Sequence, residues 1–460
     1  MLTRREYLHR VGTGLGVLGL ANVLSDNKLL ASAAPTPVSP LAPKAPHFPA
    51  KAKRIIHLFM NGGPSQVDTF DPKPALARYN GQRPPASNLR TERGTAGLMK
   101  SPFRFDRCGQ SGLEISEIFP RLQGQADELC VIRSMHTNVP NHEPSLLMMN
   151  SGEMQPIRPS YGSWLLYGLG TENQNLPGFV TMCPGFPVVG PQLWSNSFLP
   201  GIYQGTHINN SNFDPRRVLA NINNGYLPPA EQREQVALLQ RFNRMHLEAR
   251  GADNPLEARI QSMEMAFRMQ FEAQDVFDLA RETQSTRNLY GSSAFGNACL
   301  VGRRLLERGV RVVQIYTGDG QPWDDHGDIA NHRNNARTVD QPIAALLADL
   351  RQRGLLEDTL VLWGGEFGRT PSSEGAKGRD HNNHGFTVWL AGGGVKGGMA
   401  YGSSDEFGFS AQDKAMHVHD LHATMLYLMG IDHERLTYRY SGRDYRLTDV
   451  SGVVNRDIIA

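Results

Sequence analysis

From residue 294 onward the chain alternates between two periods. Ala294–Arg308 carries apolar residues at helical spacing and leads into the apolar run Val310–Tyr316; Ala336–Arg353 repeats that spacing and leads into Thr359–Trp363. The run Phe386–Ala391 follows, then a helical stretch near Asp420–Met429. Earlier in the chain, Arg54–Met60 and Glu128–Arg133 read as two further short strands. Strands that are apolar throughout need cover on both faces, and intervening helices supply it. The pattern predicts an α/β fold: a mostly parallel central sheet with helices on both faces. In such sheets ligands collect beyond the carboxyl ends of the strands, so the chemistry is sought in the loops that follow them.

The chain ends of this pattern are bounded by different text. Thr3-Arg4-Arg5-Glu6-Tyr7-Leu8, the weakly apolar and Gly-rich Val11–Leu24 and the small-residue site Ala31-Ser32-Ala33 read as a twin-arginine signal over residues 1–33. That predicts a periplasmic or extracellular protein, exported folded by the twin-arginine machinery. The apolar stretch is shorter than the ~20 residues a membrane span needs, so no stable anchor is expected. Residues 34–53 are proline-rich and read as an extended linker. Residues 54–460 form the main domain, with an insertion at about 160–290 whose first part (160–235) lacks a period and whose second (229–285) is helical. Without residues 1–33 the basic and acidic side chains are equal in number. Nucleic-acid binding through bulk charge is therefore excluded, and specificity must be local. Cys108, Cys130, Cys183 and Cys299 show no C-x-x-C spacing, which excludes a zinc ribbon. An exported chain has room for one or two bridges, and Cys108–Cys130 is the nearest pair.

The loops after the strands are rich in carboxylates and imidazoles. They hold Asp68 after the first strand, His136 to Glu143 after the second, Trp323-Asp324-Asp325-His326 with His332 mid-chain, Gly365-Glu366-Phe367-Gly368-Arg369, and Arg379-Asp380-His381-Asn382-Asn383-His384. Such groups at successive strand ends are the material of a metal site, which clamps an oxyanion and lowers the pKa of a bound water or hydroxyl. Helix caps and loop hydrogen bonds use the same residue types. Four clusters, each just beyond a strand, and a fifth that precedes Phe386–Ala391 favour a shared site. Arg369 and Arg379 are candidates for binding an anionic group, because guanidinium matches sulfate or phosphate geometry. Trp323, Trp363 and the Met263–Met269 stretch read as core or helix-interface material.

Taken together, HLFMNGGPSQVDTFDPKP, SMHTNVPNHEP, WDDHGD, VLWGGEFGRTP, GRDHNNHGF, AGGGVKGG and DLHAT resemble an exported bacterial family, domain of unknown function 1501, described as sulfatase-like and placed in the alkaline phosphatase superfamily. The resemblance implies an alkaline-phosphatase-like fold, one or two divalent ions (Zn, Mn, Mg or Ca) and hydrolysis of a sulfate or phosphate ester on a small molecule or glycan. It implies Asp68, Asp324, His326, Glu366, Asp380, His381 and His384 as metal ligands, with Phe367 standing where many members carry a histidine. Thr137, beside Asn141 and His142, is the candidate nucleophile, with a metal-activated water as the alternative. His142 or His332 is the candidate general acid. No cysteine stands in the context that sulfatases convert to formylglycine, and no G-x-S-x-G elbow is present. A second class, a binding or accessory protein that keeps the fold with a degenerate site, is separated from the enzyme by metal content and turnover.

Overall fold

Uninterrupted apolar runs do form the middle of the molecule. The computed structural model describes residues 39–83, 91–211, 213, 226–250, 260, 263–265, 267–269, 272 and 275–460. The expected export signal (1–33) and most of residues 251–274 lie outside them. The strands that concern the site are β1 (Arg54–Phe59), β2 (Leu129–His136), β3 (Phe179–Met182), β4 (Thr206–Ile208), β5 (Val312–Tyr316), β6 (Thr359–Gly364), β7 (Gly368–Glu374), β8 (Gly378–Asn382), β9 (Phe386–Ala391), β10 (Met399–Tyr401) and β11 (Met416–His417). The helices are α1 (His142–Ser151), α2 (Tyr161–Leu169), α3 (Pro229–Arg250), α4 (Ala294–Glu307), α5 (His332–Gln352) and α6 (Val418–Leu428).

Nine strands join in one sheet in the order β10-β2-β9-β6-β1-β5-β3-β4, with β11 also on β2. Among the described residues only β9 runs against its neighbours in this sheet; every other pairing in it is parallel. All residues of β1, β5, β6 and β9 are buried, as a sheet covered on both faces requires. Trp363 and Trp389 face each other across β6 and β9 with rings parallel at 6.0 Å, and Trp323 is equally buried, so the indoles are core. The expected α/β architecture is the one observed. No helix among the described residues is long and apolar enough to cross a membrane.

Several local expectations are corrected. Residues 160–235 were expected as surface insertion, yet they supply the buried helix α2 and the strands β3 and β4 at one edge of the sheet. Strands of three and four residues are too short to show a period, and α2 is apolar on most of its circumference. The extended segment before β1 is tied down: Lys44 N–H donates to Leu169 O (2.9 Å), Lys51 N–H to Leu428 O (2.8 Å), and Leu41 is buried. All four cysteines are free and buried.

One row of the sheet interior is polar. His57, Gln314 and Thr181 share a register across β1, β5 and β3, and all are buried. His57 Nδ1 meets the Tyr161 hydroxyl at 3.1 Å, and Gln314 Nε2 donates to Asn150 Oδ1 at 2.8 Å. On α6, His422 Nε2 donates to Met149 O at 2.9 Å. Burial pushes both His57 and His422 down to about 3. Both rings are therefore neutral in the folded chain, His422 held so by its burial despite the bond to Met149. An unfolded imidazole titrates near ~6.5. Between that value and about 3 the unfolded chain binds more protons than the folded one, so stability falls as pH falls through this window. The difference between the wild-type denaturant midpoint and that of His422→Gln should be flat above neutrality and shift against the wild type from about pH 6.5 toward 4. A difference unchanged down to about pH 5 contradicts the assignment of a neutral buried ring at His422.

Candidate functional site

The site begins with a turn that only glycine permits. After β1, Gly62 has φ +114°, and a Cβ there would stand 2.7 Å from the backbone nitrogens of Trp323 and Asp324. The absence of a side chain lets the loop after β5 lie directly on the turn after β1. Asn61 Nδ2 fastens that loop by donating to Gly318 O (3.0 Å) and Gly320 O (2.6 Å). Gly62 N–H donates to Glu366 Oε1 at 2.9 Å, which brings the end of β6 to the same place. The antiparallel hairpin β7–β8 pairs His381 with Arg369, and a side chain at Gly378 would collide with the His326 carbonyl. Helix α1 starts at His142, after the extended N-cap Asn141.

These elements aim three imidazoles at one carboxylate oxygen. Asp324 Oδ1 lies 2.9 Å from His326 Nε2, 3.3 Å from His381 Nε2 and 3.4 Å from His142 Nε2. His326 Nε2 and His381 Nε2 are themselves 2.9 Å apart. The other nitrogen of each ring meets a carboxylate. His142 Nδ1 lies 2.6 Å from Glu366 Oε1, His381 Nδ1 lies 2.6 Å from Glu92 Oε2, and His326 Nδ1 contacts Glu374 Oε2. A neutral imidazole carries one proton, and a carboxylate beside Nδ1 keeps it there. Three Nε2 lone pairs then face an anionic oxygen, and positive charge is needed among them. Arg369 Nη2, 2.5 Å from Asp324 Oδ1, supplies part of it.

The titration behaviour follows from the same geometry. Burial alone would lower the His142 imidazole, but Asp324 and Glu366 outweigh it and raise it to about 9. Burial would raise the Asp324 carboxyl, but His142, His381 and Arg369 hold it well below the usual carboxylate range. His142, Asp324 and His381 present ligand atoms within 4.8 Å of one another, a spacing that can hold a metal ion, and His326 adds a fourth. Two overlapping groups, Glu92–Asp380–His381 and His326–Glu374–Asp380, have similar spacing. In both, Asp380 is engaged with backbone: its Oδ1 accepts from His381 N–H (2.8 Å) and its Oδ2 from Arg93 N–H (2.6 Å).

The family model described as Protein of unknown function (DUF1501) matches residues 52–459. The chain belongs to that family. Among curated proteins none matches this DUF1501 sequence. Solved structures give distant likenesses. A lipoteichoic acid synthase from Listeria monocytogenes is 8% identical with a TM-score of 0.37, over 89% of this chain and 78% of that one. A sulfatase from Pseudoalteromonas sp. is 11% identical with a TM-score of 0.34, over 83% and 68%. A phosphonate monoester hydrolase from Silicibacter pomeroyi is 12% identical with a TM-score of 0.32, over 68% of each chain.

The DUF1501 chain brings only some of the expected residues together. Asp324, His326, His381 and His142 converge; Glu366 and Asp380 stand behind them, each engaged with backbone N–H groups. His384 is elsewhere, its ring on Phe409 with centroids 5.1 Å apart. Thr137 is buried, bonded through its backbone to Asn383, and its hydroxyl has no hydrogen-bond partner among the described residues. Asn141 Nδ2 donates to Glu92 Oε1 at 2.8 Å. His332 accepts from Ser65 N–H at Nε2 and meets Asp325 at Nδ1, so both nitrogens are committed and a general-acid role is closed to it. Glu92 and Glu374 were not anticipated from the sequence. Glu374 ends a polar strand without apolar alternation, and Glu92 follows no apolar run in the sequence, so neither carried a local signal.

The two arginines expected to bind substrate are structural. Arg369 is fully buried, with Nε on Gly63 O (2.9 Å), Nη1 on Arg379 O (3.2 Å) and Nη2 on Gly62 O and Asp324. Arg379 is fully buried against Asp68, with Nε 2.7 Å from Oδ2, and also holds Thr370 O and Met99 O. Burial alone would raise the Asp68 carboxyl; the Arg379 charge and hydrogen bonds from Arg379 and Ser65 hold it below its ordinary range. Asp68 is thus the partner of a buried cation and stands outside the imidazole group. Removing one member of a buried pair strands the other, at a cost of about 3–5 kcal/mol. Asp68→Asn should lose about that much in denaturant unfolding while keeping any bound metal. Loss of metal at unchanged stability would return Asp68 to the ligand set.

Proposed function

We propose that the chain is an exported, metal-dependent hydrolase of a sulfate or phosphate ester, with its cation on His142, His326, His381 and Asp324. The observation that carries this reading is the convergence of three Nε2 atoms on Asp324 Oδ1 while each Nδ1 rests on a carboxylate. His142 Nε2 is also a buried polar atom without a hydrogen-bond partner among the described residues, as a metal-directed nitrogen should be. Imidazoles with one carboxylate suit Zn or a similar transition ion; Mg and Ca prefer oxygen-only sites. A divalent ion held there supplies Lewis acidity to an ester oxygen and lowers the pKa of a water.

The protein's own groups do the rest. Glu366, Glu374 and Glu92 keep the protons on Nδ1 and fix the ring orientations. Arg369 holds Asp324 in place while its remaining donors are spent on backbone carbonyls. Phe367 packs against His142 and His381 with centroids 4.8 and 4.7 Å away, closing that side to water. A threonine nucleophile needs an adjacent base or a metal. The Thr137 hydroxyl has no hydrogen-bonding base beside it among the described residues, which favours a water as nucleophile. With Arg369 and Arg379 buried, neither guanidinium is free to grip the anionic ester. The proposal of export rests on Arg4-Arg5 and the segment that follows, which support a reaction in the periplasm or outside the cell.

That loss of guanidinium clamps also favours a second reading, a binding protein with the same cation site and no turnover. Protein purified without added metal should hold about one transition ion per chain and hydrolyse an aryl sulfate or an aryl phosphate. His381→Ala should lose both, and Thr137→Val should retain both. Metal without turnover on either ester selects the binding protein; absence of metal from the wild type sinks the cation site itself.

A further inference from the structure

The dipeptide Glu92–Arg93 touches the support of all three imidazoles. Glu92 Oε2 meets His381 Nδ1 at 2.6 Å. Its other oxygen accepts from Asn141 Nδ2 at 2.8 Å, and Asn141 is the N-cap of the helix whose first residue is His142. Arg93 Nη1 donates to Glu374 Oε1 at 3.1 Å, and the other Glu374 oxygen holds His326. Arg93 N–H donates to Asp380 Oδ2 at 2.6 Å, beside His381 in the chain. Neither residue lies in a helix or a strand; the dipeptide falls in the chain between the helix ending at Arg78 and the strand beginning at Phe105. The side chains of Glu92 and Arg93 are 29% and 51% exposed, so the contacts are made from the solvent side.

We infer that Glu92–Arg93 is a clasp that sets how tightly the centre holds its metal. The inference rests on the proposed cation site and deepens it. A carboxylate on the distal nitrogen fixes the tautomer and raises the basicity of a ligating imidazole, and its loss typically weakens metal binding by ~10–100-fold. Glu92 does this for His381 directly and, through Asn141, steadies the start of α1 that carries His142. Glu92 and Arg93 are positioning residues, since neither is among the atoms that face Asp324. Because binding energies are reciprocal, an ion that is held more tightly by the closed clasp must in turn hold the clasp closed.

Two measurements test this. Equilibrium dialysis with cobalt(II) should show Glu92→Gln binding ~10–100-fold more weakly than wild type, with the metal-free unfolding midpoint unchanged. Arg93→Ala should show a smaller loss, because its backbone bond to Asp380 survives. In the wild type, cobalt should slow tryptic cleavage of the Arg93–Gly94 bond, read by mass spectrometry. Equal affinity in Glu92→Gln, a fall in its metal-free midpoint without loss of affinity, or cleavage at the same rate with and without cobalt overturns the clasp. Wild-type protein that fails to bind cobalt at all contradicts the cation site on which the clasp rests, and is told apart by that.

Discussion

A carboxylate and three imidazoles cannot share a part-buried pocket at short range without positive charge among them. Asp324 Oδ1 sits within 3.4 Å of three Nε2 atoms, and each ring has its proton drawn to the far side by Glu366, Glu374 or Glu92. Water could not relieve this fully, because the His142 and His381 side chains are only 9% and 5% exposed. Arg369 offsets Asp324 and Arg93 offsets Glu374 from the solvent side, which leaves the charge of Glu366 and Glu92 to be answered. In the metal-free chain a proton on His142 serves, which is why its imidazole is raised to about 9. A divalent ion in the proposed site would answer the same demand with more charge.

The fold makes that convergence by close backbone approach at the carboxyl ends of parallel strands. Gly62 lets the loop bearing Asp324 rest on the turn after β1, and the same turn donates to Glu366. The buried guanidiniums of Arg369 and Arg379, paired with Asp324 and Asp68, then lock the β7–β8 hairpin against those turns. Charges that looked available for substrate are consumed in building the floor of the site.

The strands β1, β6 and β9 were legible because they are apolar from end to end, and the helices between them because their apolar residues recur at helical spacing. β3 and β4 were not, being four and three residues long. The β7–β8 hairpin was read as loop because its strands, GRTPSSE and GRDHN, have no apolar face. They are buried all the same because their polar groups bond one another, as when Asp380 N–H donates to Thr370 Oγ1 at 3.1 Å. Asp324, His326, His381 and His142 were visible as polar groups just past strands. Asp68 shared that signature, and nothing local distinguishes a metal ligand from the partner of an arginine 311 positions away. Glu92 lies outside any strand-end loop, so only the folded chain shows what it supports.

The X-ray absorption spectrum of zinc-loaded protein at the metal edge bears most directly on the central claim. The account predicts a first shell of about three imidazole nitrogens and one carboxylate oxygen at ~2.0–2.2 Å, with the multiple scattering that imidazole rings produce. A shell of oxygens alone, or imidazole scattering that persists at full strength when His326 and His381 are both replaced, would contradict it.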